Sequence, residues 1–446
     1  MKFYIYTLGC KVNSYESRVM ADLLQNAGYL ENTEDINNDI CVINTCSVTN
    51  SADHKSAKII RSAIRKNPEA IIIVAGCFSQ ANADVVQNIE GVDIVLGNKY
   101  KSKIVSFIDS YRENHKKMRH VEDIMQTEFE PMQLNNFNKT RAFVKIQDGC
   151  NNFCSYCIIP YTRGGVRSKK REDVLEEVTS LVQNGHKEIV LTGIHTGNYG
   201  AEVNQENAYD FADLLGEIVK IKGLERLRIS SIEMNEINDR VLEVMKKYPV
   251  LVDHMHIPLQ SGSDAVLKGM NRKYTKAEFM QKMMEIRNIR PHISITTDVI
   301  VGFPGETEEH FMESVETIRE IGFTKIHVFP YSKRKGTVAA SMKNQVPEEI
   351  KKERVHQLLK VSKELEIEYM QSCLDKEYIM IPEVYKDGYV YGHTGNYLSI
   401  KSKGMESELG QDKKVYIKRI EYPYLIGDSR SVCKKEEEQK MVSVGV

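Results

Sequence analysis

Apolar and polar residues recur along the first hundred positions as a repeating unit: a short apolar run, a turn, then a stretch with apolar residues at helical spacing. Phe3 to Thr7 is the first run, followed by Leu8-Gly9-Cys10 and a helix predicted from about Ser14 to Ala27. Ile40 to Asn44 is the second, followed by Thr45-Cys46 and a helix over about Ala52 to Lys66. Ile71 to Ala75 is the third, followed by Gly76-Cys77 and a helix near Asn82 to Asn88, and Ile94 to Leu96 adds a fourth strand. Strands alternating with helices predict a parallel sheet with helices packed on its faces.

The pattern then changes twice. Residues 111–138 lose clear periodicity and are expected to be a linker after an N-terminal domain of residues 1–110. A basic run crosses that boundary (Lys101, Lys103, Arg112, Lys116, Lys117, Arg119, His120), and a solvated face is favoured for it over a phosphate-contacting patch. From 139 to 370, strand candidates alternate with helical stretches: Arg141 to Ile146, Glu188 to Leu191, Arg226 to Ile229, His254 to Ile257, Ile293 to Val301 and Lys325 to Phe329. These βα units predict a partial or complete parallel barrel with its site at the strands' C-terminal ends. From 371 to 435 the runs shorten (Tyr378 to Val384, Gly388 to His393, Tyr397 to Ile400, Lys414 to Ile420, Tyr424 to Ile426), as in a small all-β barrel. Residues 436–446 read as a charged tail. The fold class is therefore α/β, with a terminal β-barrel appended.

Composition narrows the chemistry. The net charge is −1 over 446 residues, so any nucleic-acid surface has to be a local patch. The first residues lack the build of a signal peptide, and no apolar run nears the length of a membrane span; a cytoplasmic protein is expected. In that reducing setting nine cysteines argue for metal rather than disulfides.

Six of the nine form two trios. Cys150, Cys154 and Cys157 follow the strand at Arg141 with spacing C-x3-C-x2-C, and no fourth cysteine is near. Structural zinc is closed by four protein ligands, and an electron-transfer [4Fe–4S] cluster normally has four thiolates. Three thiolates leave one iron open to a small molecule. Cys10, Cys46 and Cys77 each follow a strand of the N-terminal sheet, at the edge where open α/β sheets bind ligands, so they are expected to converge. Cys41 lies mid-strand and reads as a buried apolar residue, while Cys373 and Cys433 have no assigned role. Glycine-bearing loops also follow strands: Thr192-Gly193-Ile194-His195, Pro258-Leu259-Gln260-Ser261-Gly262 and Thr297-Asp298 leading to Gly302. His254 and His256 share a strand face and read as hydrogen-bonded core histidines in preference to metal ligands.

Over essentially its whole length the chain resembles the radical S-adenosylmethionine (SAM) methylthiotransferase family. The resemblance rests on Thr7-Leu8-Gly9-Cys10-Lys11-Val12-Asn13-Ser14, Asn44-Thr45-Cys46, Ala75-Gly76-Cys77, Asp148 to Gly164, and Ser332 to Thr337. It implies a central radical SAM core and a C-terminal TRAM domain that contacts substrate. It also implies two [4Fe–4S] clusters: one on Cys150, Cys154 and Cys157 that chelates and cleaves SAM to a 5′-deoxyadenosyl radical, and an auxiliary one on Cys10, Cys46 and Cys77 that carries the sulfur. Tyr156 stands where the superfamily sets an aromatic against the SAM adenine; Thr192, Gly193, His195, Gln260 and Asp298 are further cofactor-binding candidates from their loop positions.

Three branches of the family differ in substrate: isopentenyladenosine in tRNA, threonylcarbamoyladenosine in tRNA, and an aspartate of a ribosomal protein. Lys11-Val12-Asn13 and the run Asn44 to Ser56 resemble the threonylcarbamoyladenosine branch; Ser47-Val48 departs from the Gly-Phe of the protein-modifying branch, and His195 from the Gln expected for isopentenyladenosine. The implied partners are tRNA bearing threonylcarbamoyladenosine, a sulfur donor and an electron donor such as flavodoxin or ferredoxin, with no membrane. The stretch Arg163 to Arg171 is a candidate for phosphate contacts. Two readings from other classes compete: an electron-transfer protein, and a tRNA- or ribosome-binding protein with structural zinc.

Overall fold

Residues 1–125, 127–134, 137, 140–202 and 209–428 are described by the computed structural model; Cys433 and the expected tail lie outside the described residues. Strands β1 (Lys2–Thr7), β2 (Leu30–Glu31), β3 (Ile40–Thr45), β4 (Ile71–Gly76), β5 (Ile94–Leu96) and β6 (Met118–His120) form the N-terminal sheet. Its order is β2-β1-β3-β4-β5-β6, parallel throughout. Every residue of β3 and β4 is buried, because helices cover both faces of the middle strands. Helices Lys11–Asn26 and Ile104–Asn114 pack on Phe3, Val42 and Ile73, and helix Asn50–Lys66 packs on Cys41, Ile43 and Ile72. Cys41 is thus a core residue, as expected.

Strand β6 lies inside the segment expected to be a linker. It is a three-residue edge strand without an apolar run, held by Arg119 on Asp84 at 2.5 Å and by His120 stacked on Phe107, so its pairing had no pattern to announce it. The basic run around it is no single solvated face either, because Lys101 is fully buried.

The central region supplies β7 (Arg141–Lys145), β8 (Gln147–Asp148), β9 (Arg167–Ser168), β10 (Glu188–Thr192), β11 (Arg226–Ile229), β12 (His254–His256), β13 (Ser294–Val301) and β14 (Lys325–Pro330). Two parallel sheets, β11-β10-β7 and β12-β13-β14, meet at a bridge between Leu227 and Leu251 and make an arc of six strands. The barrel is therefore the partial one. Ala142, Val144, Ile189, Leu191, Leu227 and Ile295 point outward into one core with the surrounding helices. Many of the residues alternating with them, on the side of the hollow, are polar, among them Lys145, Glu188, Arg228, His254, Thr296 and Asp298. Helix Lys11–Asn26 packs against β7, so the N-terminal sheet stands at the open side of the arc.

A 25-residue helix, Glu348–Ser372, leads to β15 (Glu377–Lys386), β16 (Tyr389–Thr394), β17 (Ser399–Lys403), β18 (Lys413–Glu421) and β19 (Tyr424–Asp428). These close into a barrel in the order β15-β16-β17-β19-β18 around Met380, Val390, Ile400, Val415 and Leu425. It docks on the first residues of the central strands: Arg226 donates to the Ile379 carbonyl at 3.0 Å, and Arg141 meets Glu383 at 3.3 Å.

A buried knot of charge joins the N-terminal sheet to the arc. Glu16, 1 % exposed, takes Lys101 Nζ at 2.5 Å, Lys145 Nζ at 2.7 Å and Arg163 Nη1 at 2.7 Å. Asp148 takes Lys145 at 2.6 Å, Arg163 at 3.2 Å and Arg167 at 3.4 Å. Within the stretch from Arg163 to Arg171, Arg163, Arg167 and Lys169 are consequently turned inward, Lys169 pairing with Glu177 at 2.5 Å, while Lys170 and Arg171 stay at the surface. A run of bases in sequence carries no sign of acids that come from other segments.

Burial works to raise the Glu16 carboxyl, but Arg163, Lys101 and Lys145 overcome it and hold its pKa well below the usual carboxylate range. A depressed folded-state pKa contributes stability that is complete above the unfolded value, about 4.3, and is lost as pH falls toward the folded one. The unfolding free energy in urea is expected to vary little on this account between pH 7 and 5 and to fall below about pH 4. Glu16→Gln should flatten that acid limb; an unchanged limb would show that Glu16 does not drive it.

Candidate functional site

The N-terminal trio is held by turns just past strand ends: Cys10 after β1, Cys46 after β3, and Cys77 after β4 as the first residue of helix Cys77–Ala81. Gly9 adopts φ +95°, and a Cβ there would lie 2.8 Å from Cys46 Sγ, so a side chain would both strain the turn and push Cys46 away. Asn13 ties the two turns together, donating to the Leu8 carbonyl at 2.6 Å and the Thr45 carbonyl at 3.0 Å. Asn98 Nδ2 donates to Cys77 Sγ at 3.4 Å and to the Thr162 carbonyl at 2.8 Å, linking this trio to the loop after the other one. Burial pushes the Cys10 thiol up and that of Cys46 to about 11; Cys77 adds to both, and Arg163 opposes both. The three sulfurs therefore share one electrostatic environment. Cys10 is exposed, whereas Cys46 and Cys77 are buried.

The contiguous trio sits in a pinned loop. Gly149 has φ +74°, and a Cβ there would come within 1.8 Å of the Gly165 carbonyl oxygen, leaving no room for another residue. Cys150 N donates to the Gly164 carbonyl at 3.0 Å, Cys157 N to the Cys154 carbonyl at 3.0 Å, and Ser155 Oγ to the Gly269 carbonyl at 2.8 Å. Cys150, Cys154 and Cys157 are all half-buried. Cys150 Sγ accepts from Asn152 N at 3.5 Å, and Cys154 Sγ accepts from Arg272 Nη1 at 3.4 Å. Donors aimed at sulfur tune metal–sulfur centres, while burial raises the Cys154 thiol and that of Cys157 to about 12, so a bound metal would be what holds these sulfurs as thiolates.

Spacing bears on which metal centre would fit. A single zinc with Zn–S of about 2.3 Å needs its sulfurs about 3.8 Å apart. Among the described residues, the set whose ligand atoms all lie within 4.8 Å is His256, Asp298 and His327, and neither cysteine trio belongs to it. Neither trio is gathered closely enough in this structure to close on one such ion.

The SAM candidates divide between two places. Thr192, Gly193 and His195 end β10 beside Cys150: His195 N donates to Gln147 Oε1 at 2.8 Å, and its Nδ1 is 3.7 Å from Cys150 Sγ. Burial would neutralise this ring, but Cys150 and the paired Glu236 carboxylate keep it charged, with the pKa raised to about 10. Gly193 packs closely on Gln147, and Thr192 Oγ1 accepts from Ser230 Oγ at 3.3 Å. Gln260, at φ 65°, bonds along β13 through Asp298 O and Ile300 N, on the other half of the arc. Asp298 Oδ2 stands 3.3 Å from His256 Nε2. The Tyr156 ring packs with Val266, Met270, Phe303, Tyr331 and Ala339. His254 and His256 share Thr296 Oγ1, at 3.3 and 2.9 Å, as hydrogen-bonded interior histidines.

Arg272, its partner Glu233, and Asn98 escaped the sequence reading. Arg272 meets Cys154 from a loop more than a hundred residues away, and a lone Arg after Asn271 forms no motif. Among the described residues no helix is long and apolar enough to cross a membrane.

Comparison with known proteins bears on this geometry. The family model described as Radical SAM superfamily matches residues 144–318, and that described as Uncharacterized protein family UPF0004 matches residues 2–97. The chain is 44 % identical, over 98 % of both chains, to "Threonylcarbamoyladenosine tRNA methylthiotransferase MtaB" of Bacillus subtilis. It is 36 % identical to "tRNA-2-methylthio-N(6)-dimethylallyladenosine synthase" of Carboxydothermus hydrogenoformans, over 82 % of this chain and 84 % of that one. The solved structure of the radical SAM methyltransferase TsrM from Kitasatospora setae superposes with TM-score 0.56 at 14 % identity, over 76 % of each chain, a likeness of fold.

Proposed function

This chain belongs to the radical SAM tRNA methylthiotransferases, and from that premise we propose that it inserts a methylthio group at carbon 2 of N6-threonylcarbamoyladenosine beside the tRNA anticodon. The observation that carries the substrate is the identity of 44 % along 98 % of both chains with the threonylcarbamoyladenosine enzyme, against 36 % over a shorter span with the dimethylallyladenosine enzyme.

In this reading Cys150, Cys154 and Cys157 hold the [4Fe–4S] cluster that binds SAM, and Cys10, Cys46 and Cys77 hold a second, auxiliary cluster. When bound, these groups and SAM supply the electron, the hydrogen-abstracting radical and the transferable sulfur. The protein's own contribution is placement and shielding. Arg272 and Asn152 direct N–H groups at the sulfurs of one trio, and Asn98 at the other. Thr192, Gly193 and His195 offer SAM a backbone and a charged ring beside Cys150; Gln260 and Asp298 complete the candidate contacts from the opposite half of the arc, and Tyr156 from the cysteine loop itself. The Glu16 knot fixes the two trios relative to each other, because Arg163 bonds Glu16 and Asn13 of one domain and Asp148 of the other.

A sulfur donor and a low-potential reductant such as flavodoxin or ferredoxin complete the reaction, and a tRNA substrate assigns the enzyme to the cytoplasm. The test is nucleoside mass spectrometry of tRNA from a deletion strain and from the same strain carrying the gene. Loss of 2-methylthio-N6-threonylcarbamoyladenosine with accumulation of the unthiolated nucleoside, reversed by the gene, is the expected result. Persistence of the methylthio form in a strain without a paralogue would overturn the substrate.

A further inference from the structure

The arc's hollow has a second end, where the terminal barrel docks, and its chemistry is not used by the reaction outlined above. There the terminal barrel inserts Tyr397, held at φ 65° in the turn between β16 and β17. Its ring lies 4.8 Å from the Arg228 guanidinium carbon and 5.2 Å from that of Arg141, and the His254 and His393 rings stand 4.8 Å away on centroids. Lys11, one residue past Cys10, lies within electrostatic reach of Arg141, Arg228 and Tyr397.

Two buried nitrogens of this cap, on Arg228 and His254, have nothing to bond. Arg228 spends Nε on Glu188 Oε1 at 2.7 Å, while its Nη1 is buried without a partner. His254 Nδ1 is likewise buried and unpartnered, and the two residues are 2 % and 7 % exposed. Lys11 is exposed, and no ion pair of its ammonium is found among the described residues. The nearby acids are already engaged: Glu188 with Arg226 and Arg228, Glu383 with Arg141 and His393, and Asp298 with His256. Buried donors are normally paired, and unbonded ones converging on a hollow call for an acceptor from outside.

We infer that the end of the hollow bounded by Lys11, Arg228, His254 and Tyr397 binds the carboxylate of the N6-threonylcarbamoyl arm and thereby selects it over an apolar N6 substituent. The inference rests on the substrate proposed above and adds the residues that read it. Carbons 2 and 6 of adenine flank N1, so a base held with carbon 2 near Cys10 carries its N6 arm on the neighbouring edge, toward Lys11. A carboxylate gains charge-assisted bonds from an ammonium and a guanidinium. A dimethylallyl arm would leave the buried Arg228 Nη1 and His254 Nδ1 unpaired, and a site built for a polar group rejects an analogue lacking it.

The test uses reconstituted holoenzyme and three anticodon stem-loop RNAs, carrying N6-threonylcarbamoyladenosine, its carboxyl methyl ester, or N6-dimethylallyladenosine. Wild-type kcat/KM is expected to fall about 10- to 100-fold from acid to ester, by loss of charged hydrogen bonds. Lys11→Met should lower kcat/KM for the acid toward the ester's value and bring the acid-to-ester ratio near one, with iron content matched to wild type. Anisotropy of labelled stem-loops should show the same preference in affinity. Equal handling of acid and ester by wild type overturns the inference without recourse to any variant, and an undiminished ratio in Lys11→Met removes Lys11 from the site. Turnover of the dimethylallyl RNA with none of the acid or ester would instead overturn the substrate reading itself.

Discussion

Replacing Cys77 by alanine is expected to eliminate methylthiolated product while SAM is still cleaved reductively, with iron falling from about eight to about four per chain after anaerobic reconstitution. Cys154→Ala should abolish product and cleavage together, because that trio is assigned to SAM. The contrast follows from position: Cys77 begins a helix on the N-terminal sheet, and Cys154 sits in the loop after β8, so each change opens one centre and leaves the other's loop intact. Formation of 5′-deoxyadenosine and nucleoside mass spectrometry read the two outcomes separately. Zinc without iron in the reconstituted wild type would contradict the assignment of both trios, and iron unchanged in Cys77→Ala would contradict the second one.

The other large effect is expected at Glu16. Its carboxylate is the shared partner of Lys101, Lys145 and Arg163, all nearly inaccessible to water. Glu16→Ala leaves Lys101 without an ion pair and Lys145, Arg163 and Arg167 sharing the single acid Asp148, and removing one side of a buried ionic network typically costs about 3–5 kcal/mol. Against a total stability of about 5–15 kcal/mol for a domain, that is a large share, and the urea midpoint should drop accordingly. Limited proteolysis should cut first near the junction of the N-terminal sheet and the arc. A loss under about 1 kcal/mol, as for a surface pair, would mean that water reaches the knot after the change.

Glu16 also illustrates where local pattern stops being informative. It lies on helix Lys11–Asn26, where an acid between Tyr15 and Ser17 reads as surface, yet it is 1 % exposed because its partners arrive from residues 101, 145 and 163. The converse holds for Arg163, Arg167 and Lys169: a basic cluster in sequence suggests phosphate contacts, and the fold turns it inside. Burying a charge requires a partner, and that partner can lie anywhere along the chain.

What the linear order of residues determined by itself was whatever depends on short range. Runs such as Ile40–Thr45 and Ile71–Gly76 are apolar throughout because both faces of a middle parallel strand are covered, so the strands and the place of Cys46 and Cys77 at their ends were legible from the runs alone. The C-x3-C-x2-C spacing is likewise local. The tertiary structure decided which distant groups meet: Arg272 on Cys154, Asn98 on Cys77, the edge strand β6 on β5, and Tyr397 of the terminal barrel among Arg141, Arg228 and His254. Backbone periodicity is set by neighbours three or four residues away, whereas hydrogen bonds and charge act across whatever distance in sequence the folded chain has closed.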